Sequence, residues 1–164
     1  MGVLTDYFRA ADAASVVQAL ERTDDPPLVS GGDSLFDGVM AKRLDPDIVL
    51  GELIAAIRQH PWEAGLVDQS PVWPTTPAPG PGGPQDEDDP WATGPWVVEL
   101  GAAARDTLAG VRDSDVPAIT ARWVQSEALR PAGVEEMRPL VDELVRLARR
   151  AREAGERLYC WICL

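Results

Sequence analysis

The last thirty residues of the chain carry its clearest hydrophobic pattern. Between residues 137 and 151, apolar residues recur at steps of three and four, which is the spacing of one face of an α-helix. Gly155 is predicted to end this helix, because glycine adopts positive φ without a steric cost. Residues 158–164 are apolar at both odd and even positions. That pattern is typical of a strand covered on both faces, so we expect this segment in the centre of a sheet.

The rest of the chain predicts further strands and helices. Residues 2–8 are predicted to form a first strand, and residues 96–100 a short strand or an extended lead-in to a helix. Asp12 is predicted to cap the helix after the first strand. Asp45 followed by Pro46 predicts another helix start, because a capping carboxylate and proline at the first helical position often occur together.

Two more helices are predicted upstream of the terminal one. The first covers residues 102–111, and Asp113 or Ser114 is predicted to cap the second. The predicted inner face of that second helix consists of Val116, Ile119 and Trp123. Together these elements predict an α+β fold in which a small sheet contains the N- and C-terminal strands and is packed by about five helices. A chain of 164 residues is long enough for one domain with a real core, so we expect a single domain over 1–164.

The composition changes between Pro61 and Pro95. Nine of the fifteen prolines lie in this stretch, together with an acidic run at residues 86–89. Residues 74–90 carry too few apolar side chains to offset the entropy lost on ordering, which predicts a mobile Pro/Gly-rich loop. Four of the six tryptophans flank this loop. The candidate interaction surface consists of Trp62, Trp73, Asp86, Glu87, Asp88, Asp89, Trp91 and Trp96.

The charge balance restricts the class of partner. Asp and Glu number 27 against 15 Lys and Arg, for a net charge of -12, which repels phosphate backbones and anionic membranes. We therefore expect neither a nucleic acid nor a membrane as partner, and a basic protein is the kind of partner that the charge favours. No apolar run approaches the roughly 20 residues that span a bilayer, and no secretion signal is recognisable, so a cytoplasmic location is expected.

The reactive residue types do not form a recognisable active site. Cys160 and Cys163 form a CxxC, but on a strand residues three apart point to opposite faces, so we expect core thiols. Two cysteines and one histidine are too few for a structural zinc site. His60 ends a predicted helix, where an imidazole can bind the last carbonyl groups. Neither Asp24-Asp25 nor the acidic run has the ligand spacing of a calcium loop. No catalytic, cofactor-binding or metal-binding residue is predicted.

Three stretches of the chain resemble the YfbM-like proteins, a bacterial domain family of unknown function. They are residues 1–21, residues 97–123, and the C-terminal helix with Gly155 and the apolar terminal strand. Together they cover about half of the chain. The resemblance implies a bacterial protein with an α+β fold, and it implies no activity, because none is established for the family. Residues 45–60 depart from the family, since a plain aliphatic helix stands where other members carry a tryptophan and histidine segment.

Three classes of function remain open. The first is a non-enzymatic protein-binding module, of antagonist or immunity type, that receives a basic partner on its acidic, Trp-flanked surface. On the other interpretation of the tryptophans, their rings only pin the loop to the core. The second class is a small-molecule-binding or enzymatic domain with a cleft built from Asp6, Tyr7 and His60. The third is a structural subunit of a larger assembly. The absence of a catalytic constellation favours a non-enzymatic role.

Overall fold

The N- and C-terminal strands lie side by side in one antiparallel sheet. The computed structural model describes residues 3–23, 29 and 34–164. The strands within these residues are β1 (Leu4–Ala10), β2 (Gly38–Met40), β3 (Gln69–Trp73), β4 (Trp96–Leu100) and β5 (Arg157–Cys163). Their order across the sheet is β2-β1-β5-β4-β3, and every neighbouring pair is antiparallel. The predicted α+β fold with both terminal strands in the sheet is confirmed.

The described residues also form six α-helices and two short 3-10 helices. The α-helices are α1 (Ala13–Arg22), α2 (Val49–Arg58), α3 (Pro90–Thr93), α4 (Ala102–Ala109), α5 (Val116–Trp123) and α6 (Val134–Ala154). All but the four-residue α3 were predicted. Gly155 ends α6 in the left-handed conformation with φ 68°, as predicted. No helix in the described ranges combines the length and apolar character needed to cross a membrane.

Strand β5 is covered on both faces, as its uninterrupted apolar pattern predicts. Leu158 and Cys160 belong to the larger core cluster, to which α2, α4, α5 and α6 contribute. Tyr159 and Trp161 belong to a smaller cluster on the other face, beneath α1. Phe8 of β1 stacks on Tyr159 in this smaller cluster, with ring centroids 5.5 Å apart. Alternate side chains of one strand therefore join two separate cores.

Neither edge strand, β2 or β3, was predicted. Strand β2 has only three residues, and Gly38 within it lies so close to β1 that a Cβ there would clash with the carbonyl oxygen of Tyr7. Strand β3 contains Pro71, which argues against a central strand because proline cannot donate to the ladder. Since β3 lies at the edge of the sheet, proline is tolerated there.

The predicted helix starts were only partly correct. Asp12 caps α1, because its Oδ1 accepts a hydrogen bond from the Ser15 backbone N–H at 2.8 Å. Asp45 Oδ1 accepts one from the Ile48 backbone N–H at 2.7 Å, but α2 begins only at Val49, after a turn. The predicted cap at Asp113 or Ser114 was wrong, because both residues lie within a 3-10 helix that precedes α5. Residue 2 and Asp24-Asp25 lie outside the described residues.

One carboxylate joins the N-terminal strand to the C-terminal helix. Asp37 accepts hydrogen bonds from Arg9 Nε of β1 at 2.7 Å and from Arg150 Nε of α6 at 2.7 Å. Arg9 also pairs with Glu156, which precedes β5, at 2.7 Å. The hydrogen bonds from Arg150 and Arg9 hold the pKa of Asp37 below its ordinary value. This network connects segments that are far apart in the sequence.

Asp37→Asn is expected to destabilise the fold in a pH-dependent manner. The pKa of Asp37 is lowered in the folded state, so its stabilising effect is present at neutral pH and is lost as pH falls below its ordinary value of 3.8. Because the pair is partly exposed, we expect a loss of about 1 kcal/mol or less at neutral pH. Thermal melting from pH 7 to pH 3 should show the difference from wild type shrinking as pH falls. A constant difference would contradict the ion pair, and Glu143→Gln serves as an exposed control.

Deletion of residues 160–164 is expected to abolish cooperative folding. The deletion removes most of β5, which pairs with both β1 and β4 and fills both cores. Circular dichroism during heating should then show no cooperative transition. The control deletes Leu164 alone, which is 63% exposed and lies outside β5, and should melt like wild type. A cooperative transition in the longer deletion would refute the central role of β5.

Candidate functional site

The acidic loop, residues 74–90, connects β3 to α3 and is closed by hydrogen bonds at its base. The indole N–H of Trp91 donates to the Thr76 carbonyl oxygen at 3.2 Å and to Thr76 Oγ1 at 3.1 Å. Asp89 Oδ1 accepts from the Trp91 backbone N–H at 2.8 Å and caps α3. The bonds between Trp91 and Thr76 join the two ends of the loop, and the predicted mobility of the residues between them stays a prediction.

The carboxylates of the acidic loop point into solvent without a cationic partner. Asp86, Glu87 and Asp88 are exposed, and Asp86 Oδ1 accepts from the Asp88 backbone N–H at 3.1 Å. No described Lys or Arg forms an ion pair with residues 86–89. The residues outside the described ranges contain neither Lys nor Arg. The loop therefore concentrates negative charge that side-chain cations do not compensate.

Three of the four predicted tryptophans lie in the elements that follow or precede this loop, namely β3, α3 and β4. Trp91 closes the loop, while Trp73 packs against the smaller core cluster. Trp96 is half-buried beside Gly94, where a Cβ would lie 3.0 Å from Trp96 Cε3. Val97 belongs to the smaller cluster, so Trp96 lies on the opposite face of the sheet from Trp73. The packing of Trp73 supports the interpretation that this ring pins the loop to the core.

Trp62 lies elsewhere, against the first half of α2. Its indole N–H donates to the Asp47 carbonyl oxygen at 3.2 Å, and a Cβ on Gly51 would lie 2.7 Å from that nitrogen. The structure therefore assigns Trp62 to a different surface from the acidic loop.

Asp6, Tyr7 and His60 do not line one cleft. The Tyr7 side chain is buried in the larger core, and its hydroxyl donates to the Leu44 carbonyl oxygen at 2.7 Å. Asp6 precedes it on β1 and points to the opposite face, where burial raises the pKa of its carboxyl group. His60 is exposed beyond the end of α2, and its Nδ1–H donates to the Pro61 carbonyl oxygen at 2.8 Å.

The two cysteines are free thiols on opposite faces of β5. Cys160 is buried in the larger core cluster, and burial raises the pKa of its thiol. Cys163 packs against the smaller cluster. The expected separation across the strand is confirmed. Within residues 3–23, 29 and 34–164, no group of three or more His, Cys, Asp or Glu side chains is placed to hold a metal ion.

A groove between α2 and the end of α5 was missed by the sequence analysis. Its volume is about 490 Å³, and His60 and Trp62 line it. Glu52, Arg122 and Ser126 also line it. The only signal in the sequence is the pair Ala55-Ala56, because small side chains on an otherwise aliphatic helix leave room at the surface. That signal cannot identify Arg122 or Ser126, which are more than sixty residues away in the chain.

Comparisons with known proteins identify no relative of this chain. No protein-family model, no curated protein and no solved structure matches it significantly. The resemblance to the YfbM-like proteins therefore stays a prediction.

Trp91→Phe is expected to loosen the acidic loop without disturbing the core. The substitution keeps an aromatic ring but removes the N–H that bonds Thr76, a loss of about 1 kcal/mol. Hydrogen exchange followed by mass spectrometry should show roughly fivefold faster exchange in residues 76–89. The matched control is Trp62→Phe, which removes the bond to Asp47 and should leave exchange in this loop unchanged. Equal exchange in wild type and Trp91→Phe would show that Trp91 does not close the loop.

Proposed function

We propose that this protein is a non-enzymatic binding module that receives a basic protein partner on its acidic loop. The observation that carries the proposal is the row of three adjacent exposed carboxylates at Asp86, Glu87 and Asp88. They lie on a loop that hydrogen bonds close at its base. None of them forms an ion pair with a described cation. Charges grouped in this way attract a positively charged surface and accelerate its association.

The arginines elsewhere in the chain support this interpretation. Arg9, Arg112 and Arg150 pair with carboxylates within the fold, so many cations of this acidic protein are already engaged. The carboxylates of the acidic loop make no such contribution to the fold. Apart from the turn at Asp86 and the cap that Asp89 supplies to α3, these carboxylates have no structural role among the described contacts.

The chemistry of the partner follows from the loop. A partner with several Lys or Arg side chains on one surface would gain ion pairs with Asp86, Glu87 and Asp88, and Trp91 lies next to them as a half-buried aromatic side chain. Arg is enriched at interface hot spots and also stacks on aromatic rings. A module that covers a basic surface of another protein in this way would act as an antagonist or immunity-type protein.

The triple variant Asp86→Asn/Glu87→Gln/Asp88→Asn is expected to lose this partner. The tagged protein should capture a stoichiometric basic protein from nuclease-treated lysate of the source organism, and moderate salt should release it because exposed ion pairs are screened. The triple variant should retain the melting temperature of wild type and capture at least about tenfold less partner, since each lost charge pair contributes up to about 1 kcal/mol.

The matched control is Glu21→Gln/Glu143→Gln/Glu153→Gln. These three residues are exposed and form no ion pair within the described chain, so the control also changes the net charge from -12 to -9. Equal loss in both triple variants would show that only net charge matters. Recovery of the protein without a protein partner would overturn the proposal.

A further inference from the structure

Two polar atoms beside the groove between α2 and α5 are buried and have no hydrogen-bond partner among the described residues. They are Glu52 Oε2 and Ser126 Oγ, and both residues line the same groove. A buried polar atom without a partner costs about 1–3 kcal/mol, so such atoms are uncommon unless something else binds them. The carboxylate oxygen can only accept, so the group that satisfies it must be a hydrogen-bond donor.

The same groove contains a cation that is held in place but forms no ion pair with a described carboxylate. Arg122 donates from Nε to the Ala56 carbonyl oxygen at 3.1 Å, which fixes the guanidinium group at the groove. Within the described chain, no carboxylate lies within ion-pair distance of it. Glu52 and Arg122 therefore line one groove with opposite charges and are not in ion-pair contact with each other.

The remaining lining of the groove is largely apolar. Ala55, Ala56, Trp62 and the buried Trp123 contribute carbon surface. The cavity volume of about 490 Å³ lies within the range of small-molecule sites, which are mainly apolar with a few polar groups that orient the ligand. A ligand with two charged ends and an apolar side chain matches both the lining and the charges.

We propose that this groove binds a small zwitterion, namely a free amino acid with an apolar or aromatic side chain. Both oxygens are shielded from solvent in the free protein, so the side chains of Glu52 and Ser126 rotate toward the groove when the ligand binds. The ligand's ammonium group then donates hydrogen bonds to Glu52 Oε2 and Ser126 Oγ, and its carboxylate accepts from the guanidinium of Arg122. Its side chain packs against Ala55, Ala56 and Trp62. This site is separate from the acidic loop, so either proposal can fail without the other.

Isothermal titration calorimetry tests the proposal. The standard amino acids are titrated at up to about 10 mM each, so that a Kd near 1 mM can be measured. At least one apolar or aromatic amino acid should bind saturably. n-Butylamine and butyrate each carry only one of the two charges, so each should bind at least about tenfold more weakly than the best amino acid.

Glu52→Gln and Arg122→Met should each weaken binding roughly tenfold to hundredfold, since each removes a charged hydrogen-bond partner. Their controls are Glu143→Gln and Arg146→Met, which replace exposed residues of α6 and should bind like wild type.

Ser126→Ala separates binding from folding. Removing a hydroxyl that has no hydrogen-bond partner among the described residues should leave the melting temperature of the free protein unchanged or higher, while it weakens ligand binding. The proposal is overturned if no amino acid binds, which would mean that the two oxygens stay turned away from the groove. It is also overturned if n-butylamine binds as tightly as the best amino acid, or if all variants bind like wild type.

Discussion

The pairing of β5 with two partners at once is the constraint on which the rest of the structure depends. Strand β5 forms ladders with β1 on one side and β4 on the other, so it joins the two halves of the sheet. Its side chains alternate between two cores, with Cys160 in one and Tyr159 in the other. Neither core is complete before β5 has paired with β1 and β4. Of the helices on the larger core, α4 and α6 contact β5, while α2 packs against α4 and α5 packs against α6.

Charge is used in two different ways in this acidic protein. Arginines connect distant segments, as Arg150 of α6 binds Asp37 and Arg105 of α4 donates to the Glu156 carbonyl oxygen at 2.8 Å. The acidic loop shows the opposite arrangement, with carboxylates grouped at a place where the fold supplies no cation. Because solvent screens such charges, they stabilise the fold little and remain available to a partner.

The two candidate surfaces differ in how they are built. The acidic loop is local, since Trp91 and Thr76 close it within the connection between β3 and β4. The groove is assembled from α2 and the end of α5, and Trp123 fixes this packing by donating from Nε1 to the Val49 carbonyl oxygen at 3.0 Å. The two proposed binding surfaces therefore use different residues, and neither depends on the other.

Periodicity along the chain determined the helices and the central strand. The amphipathic pattern of α6, the glycine at position 155 and the doubly apolar β5 each report a property of neighbouring residues, which a sequence displays directly. The acidic loop was visible for the same reason, because its prolines and carboxylates are contiguous. Trp62 was grouped with this loop because it is close in sequence, although in the fold its ring packs against α2.

Tertiary structure alone decided the edge strands and the groove. Strand β3 contains Pro71 and has no continuous apolar pattern, so only its pairing with β4 at the edge of the sheet identifies it. Glu52 and Ser126 are separated by more than seventy residues and meet only because α2 packs against α5. Local patterns report burial and backbone preference, but they do not report which distant surfaces meet. That information arises from packing, and the unpartnered polar atoms of the groove become visible only after packing has occurred.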